Sequence, residues 1–138
     1  MAERGGLLGL LSRFGLAGLV TTVVGFAVIA ALDVGAHLAP ALANAGGYAV
    51  GIPLGFVLNR SFVFRHDGAV SRTGLKYVCA IVLGLALNQL VLRLAGSALG
   101  AGAARHLAAQ LAGMATYTAV NFLTFRFWVF RSSVQIGR

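Results

Sequence analysis

The chain has 138 residues, of which 59% are hydrophobic and 10% charged, whereas a soluble domain carries about a quarter charged residues; an ordinary soluble globule is excluded and a membrane protein indicated. Eleven Lys/Arg face three acids, Glu3, Asp33 and Asp67, but the cations stand between long apolar runs rather than on a soluble basic face, so no nucleic-acid partner is expected. Cys79 is alone, which excludes an internal disulfide and a cysteine-based metal box.

A bilayer core needs about 20 apolar residues in a helix, and charges mark four such stretches. The first, Phe14 to Leu32, is uncharged between Arg13 and Asp33. With Arg4 ahead of it, the N-terminus imitates a signal peptide, but Arg13 interrupts the run and the stretch beyond Arg13 is long enough to span, so it reads as a retained helix. The second runs from Leu38 to Asn59, with Pro40 as a start signal, and carries Gly47, Gly51 and Gly55 as a small-residue ridge beside Pro53. Such a ridge admits a neighbouring helix closely; it serves either internal packing or a contact between subunits. The third, Tyr77 to Leu92, lies between Lys76 and Arg93, its apolar character resuming to about Leu99. The glycine-rich "GSALGAG" punctuates the chain before the fourth, Leu107 to Phe125, which ends at Arg126.

The expected fold is therefore an all-α membrane protein with four transmembrane helices in one domain, residues 1–138. Lys/Arg bias sets the orientation. Nine cations (Arg4, Arg13, Arg60, Arg65, Arg72, Lys76, Arg126, Arg131 and Arg138) fall on one side, and only Arg93 and Arg105 on the other. Both termini and the central loop are expected in the cytoplasm.

"GFVLNRSFVFR" (55–65) returns 66 residues later as "NFLTFRFWVFR" (121–131), with five of eleven positions identical. The phrase closes the second span and the fourth. The openings match more loosely, in "RFGLAG" at Arg13 and "KYVCAI" at Lys76. Two helical hairpins, about 13–65 and 76–131, thus form a parallel repeat. Arg60 has Phe56 and Phe64 four residues to either side, and Arg126 has Phe122 and Phe130. On a continuous helix each Arg would lie between two rings on one face, at headgroup depth, where a guanidinium suits phosphate. The other reading is an aromatic belt with flanking Arg that only fixes topology and depth.

Polar residues form two layers by depth. The inner layer holds Asn59, Arg60, Asn121 and Arg126, with Arg65 and Arg131 just beyond; the outer layer holds Asp33, Arg93 and Gln110, with Gln89 one turn before Arg93. Asp33 and Arg93 either pair or snorkel separately to the outer headgroups. Asn44, Asn88 and the other amides act either as glue between helices or as ligands. Glu3, Asp33 and Asp67 are scattered, His37, His66 and His106 are isolated loop residues without ligand spacing, and no nucleotide-binding loop occurs. No enzyme activity, metal, cofactor or direct use of ATP is expected.

The doubled closing phrase, "NRSFVF" at Asn59–Phe64 and "FRFWVF" at Phe125–Phe130, resembles the GtrA-like family of small four-span membrane proteins over about Arg13 to Arg131. Phe125 departs from the Asn of the family's phrase, and Thr21, Thr22 and Gly25 stand where a more polar first span is usual. The resemblance implies translocation of a polyprenyl-phosphate-linked sugar across the bacterial plasma membrane, for cell-surface polysaccharide synthesis or modification. It makes Asn59, Arg60 and Arg126 candidate ligands for the lipid phosphate or its sugar. The alternative it implies is a membrane anchor or accessory subunit of a glycosyltransferase. A proton-coupled exporter of small solutes would need a membrane-embedded carboxylate, which the first span lacks before Asp33. A homo-oligomer, most simply a dimer, would give a sugar headgroup more room than four short spans.

Overall fold

The computed structural model describes residues 6–99 and 102–131; Arg4 and Arg138, two of the cations in the charge bias, lie outside them. Every described element is helical. Helix α1 spans Gly6–Ala30 and runs into a π-turn over Ala31–Gly35; α2 spans Pro40–Leu58 and runs into a π-turn over Asn59–Val63. Helix α3 spans Val70–Leu99, and α4 spans Ala103–Thr124 and ends in a π-turn over Phe125–Val129. The chain divides into two compact units, Met1–Asp67 and Gly68–Arg138, and the division falls between the two copies of the repeat.

The charges that bounded the apolar runs do not bound the helices. Arg13 lies inside α1, Arg72 and Lys76 inside α3, and Arg60 inside the π-turn that prolongs α2. Charge limits how deep a helix sits in lipid, whereas backbone hydrogen bonding limits where it ends. His106, expected in a loop, lies in the first turns of α4. Pro40 opens α2 as its first residue, where its missing N–H costs nothing, and Ala39 before it is extended (ψ 140°). Gly102 precedes α4 at φ 146°, a left-handed conformation open to glycine.

Each unit is an antiparallel pair of helices. In the first, Gly46 of α2 lies against Leu32, Gly47 against Ile29 and the Gly25 carbonyl, and Gly51 against Thr21, so position rises on α2 as it falls on α1. In the second, Gly113 of α4 meets Asn88 and Leu92 of α3, and Asn121 meets Gly84. The buried residues of α2 and its π-turn are Ala43, Gly47, Gly51, Gly55, Asn59 and Val63, one every four residues. Sixty-six positions on, the same row reads Ala109, Gly113, Tyr117, Asn121, Phe125 and Val129; all are buried except Tyr117, which is half-buried. In an α-helix each step of four overshoots by about 40°. The π-turn winds less per residue and brings the last step, to Val63 or Val129, back onto the packed face.

Three helical stretches are long and apolar enough to cross a membrane among the described residues: Gly6–Gly35, Pro40–Val63 and Val70–Ala95. Helix α4 has 22 residues, about 33 Å of rise, against a core of about 30 Å. It is more polar, with Gln110, Thr116, Thr118, Asn121 and Thr124 along it.

Candidate functional site at the open ends of the hairpins

Each hairpin has a loop end and an open end, and the duplicated phrase forms the open end of both. The backbone there is the same twice. The N–H of Asn59 donates to the carbonyls of Gly55 and Phe56, and that of Phe125 to Asn121 and Phe122. The π-turn then closes with Phe64 N–H on Asn59 O at 2.9 Å and Phe130 N–H on Phe125 O at 2.8 Å. Near each turn a hydroxyl also bonds back along the helix, though at positions that do not correspond: Ser61 Oγ donates to Val57 O at 2.5 Å, and Thr124 Oγ1 to Val120 O at 2.5 Å. After the first copy, Arg65 takes the left-handed region (φ 48°) and His66 N–H reaches back to Arg60 O at 2.8 Å. The loop end of the first unit repeats that cap, with His37 at φ 53° and Leu38 N–H on Leu32 O at 3.0 Å.

The side chains differ. In the second unit the open end is an aromatic cluster. Tyr77 of α3 stacks on Phe125 with ring centroids 4.7 Å apart; Phe130 meets Phe125 edge-on at 5.9 Å and Tyr77 at 6.3 Å. All three are buried. Lys76 Nζ lies 5.8 Å from the centre of the Trp128 ring, a cation–π contact that ties the start of α3 to the end of α4. Arg126 is exposed, its guanidinium 5.4 Å over the ring of Phe127. The expected placement of Arg126 between Phe122 and Phe130 is therefore corrected: Phe130 stands past the last helical turn (φ −106°, ψ 26°), where i,i+4 alignment lapses, and it turns into the cluster.

In the first unit, Asn59 holds the place of Phe125. It is 5% exposed, under α1, and its Nδ2 donates to Gly55 O at 2.8 Å. Its Oδ1 is buried with no partner, as is Nη1 of the half-buried Arg60. Phe56 and Phe64 beside Arg60 are half-buried. An acceptor and a cationic donor on consecutive residues thus lie covered and unpaired, a costly state for groups at this depth.

The remaining candidates separate by position. Asn121 is 3% exposed inside the α3/α4 contact; its Oδ1, also unpartnered, sits 2.8 Å from where a Cβ on Gly84 would lie. Arg65 and Arg131 are exposed beyond their π-turns. Asp33 is exposed in the π-turn at the loop end of the first unit, and Gln89 and Arg93 are exposed one turn apart on α3 of the second. The structure thus gathers Asn59 and Arg60 at one open end, and Asn121 and Arg126 near the other. The Gly47–Gly51–Gly55 ridge, open between two uses on sequence grounds, is buried against α1. The aromatic cluster has no sequence-local signature, since Tyr77 lies 48 residues from Phe125; the aromatic after Lys76 is its trace in the sequence.

Long apolar helices paired as two hairpins, with cations gathered toward their ends, define a multi-pass membrane protein. A model of the GtrA/DPMS transmembrane domain matches residues 13–130, so the chain belongs to that family. No curated protein and no solved structure matches it.

Proposed function

We propose that this protein translocates a polyprenyl-phosphate-linked sugar across the bacterial plasma membrane, binding the lipid phosphate at the cytoplasmic open end of the first hairpin. The observation that carries the reading is Arg60: a guanidinium nitrogen buried and unpaired at the end of an apolar helix, where a phosphate diester is the anion at hand. Family membership supports glycosyl-lipid handling as the general task. In this reading α4 is the fourth span, both termini face the cytoplasm, and the loop end of each hairpin faces outward, with Asp33 at that end of the first and Gln89 and Arg93 toward that end of the second. Arg60 binds by charge and by its forked donors; the stem lies along apolar surface. Movement is facilitated diffusion, drawn by a glycosyltransferase that consumes the sugar outside, and a second copy of the chain completes the path.

The test is a proteoliposome assay in which a labelled polyprenyl-phosphate hexose is placed in one leaflet and its arrival in the other is timed. Wild type should accelerate exchange, and Arg60→Gln should slow it at least about tenfold, the worth of a charge-assisted hydrogen bond, while eluting and melting like wild type. No acceleration with several sugars would shift the assignment to an accessory subunit of a glycosyltransferase.

A further inference from the structure

The two copies of the phrase share a backbone and differ at its centre. The carbonyl of Gly55 can only accept, so the Asn59 group facing it at 2.8 Å is the Nδ2 donor, and this fixes the orientation of the amide. Oδ1 is left as a buried acceptor without a partner. It needs a hydrogen-bond donor, which a phosphate diester does not have and a sugar hydroxyl does. Arg60 Nη1, the next residue's orphan, needs an acceptor, which the phosphate provides. In the second copy Phe125 fills the Asn59 place and stacks on Tyr77; Asn121 also has an unpartnered Oδ1, but it is lodged inside the α3/α4 contact against Gly84, with no cationic donor beside it among the described residues, and Arg126 is exposed over Phe127.

We infer that the first copy alone is the headgroup site and that it recognises a glycosyl phosphate diester by two points, phosphate on Arg60 and a sugar hydroxyl on Asn59, while the second copy is a structural closure. This rests on the translocation reading and adds a substrate preference to it. A prenyl methyl phosphate diester carries the same single negative charge to Arg60 but brings no sugar hydroxyl to Asn59 Oδ1, so the sugar-bearing lipid binds better than the methyl diester. Both atoms are covered, so entry requires a side chain to move; Arg60, half-buried on a stem of rotatable bonds, swings with its ligand.

Equilibrium binding to the purified full chain in detergent tests this with three probes: a short-chain prenyl phosphohexose, the prenyl methyl phosphate diester of equal charge and no sugar, and the soluble methyl phosphohexose. Wild type should prefer the phosphohexose lipid over the methyl diester lipid about fivefold, the worth of one neutral hydrogen bond. Asn59→Leu should abolish that preference. Arg60→Gln should weaken both lipids at least about tenfold, and Arg126→Gln neither. Asn59→Ala, which adds no bulk, carries the test if the Leu variant melts early. A preference that survives both Asn59 variants, or equal losses for Arg60→Gln and Arg126→Gln, overturns the inference and leaves translocation standing. Equal binding of the soluble ester overturns the assignment to a lipid headgroup. Failure of wild type to bind either lipid overturns the translocation reading itself.

Discussion

Arg60 and Arg126 occupy the same place in a repeated phrase, yet one guanidinium is partly buried with an unpaired nitrogen and the other lies exposed over the next ring. The residue before each differs as well. A carboxamide at 59 leaves hydrogen-bonding capacity under α1, whereas a phenyl ring at 125 fills the equivalent space and stacks. In lipid, helices associate by van der Waals contact rather than by the hydrophobic effect, so removing that ring exacts a direct packing loss. Phe125→Ala is expected to destabilise the second hairpin by about 2–3 kcal/mol, seen as a lower melting temperature in detergent, with little effect on lipid phosphate binding. An equally large loss of binding would show that the second copy also takes part.

At the scale of elements, the α1/α2 contact depends on which glycines face it. A Cβ at Gly47 would fall against Ile29 and 3.1 Å from the Gly25 carbonyl, whereas one at Gly18 meets nothing within 4 Å. Gly47→Leu should therefore cost about 1–3 kcal/mol by overpacking. Gly18→Ala should stabilise α1 by about 0.5–1 kcal/mol through backbone entropy, and thermal melts of the two variants should move in opposite directions. The cap at the loop end offers a further check. His37 holds φ 53° without being glycine, and His37→Gly is expected to stabilise by up to about 1 kcal/mol; a fall in melting temperature would mean that the imidazole contributes more than the strain takes away. The repeat was legible from Phe56, Arg60, Val63, Phe64 and Arg65 and their later copies. That both copies end in a π-turn was not, because one extra residue in a turn leaves no mark on side-chain type and is set by which backbone carbonyl each N–H reaches.

For the whole molecule, the charge bias of nine against two predicts the topology. With Cys79, which is exposed, replaced by serine, a cysteine at Asp67 should react with an impermeant thiol reagent only from the cytoplasmic side. A cysteine at Gly35 or Gly102 should react only from outside. Labelling of all three from one side would overturn the four-span arrangement. Composition and charge spacing alone determined that this is a membrane protein of hairpins written twice, because burying backbone in lipid demands long apolar helices and leaves cations at their ends. They also carried the phrase that marks its family. Only the tertiary structure decided that the glycine ridge is spent inside the first hairpin. It alone showed that Phe130 leaves Arg126 for Tyr77, and that Asn59 and Arg60 are the pair left covered and unpaired. Those outcomes depend on which side chains a partner helix brings opposite, and residues as far apart as Tyr77 and Phe125 carry no sequence-local sign that they will meet.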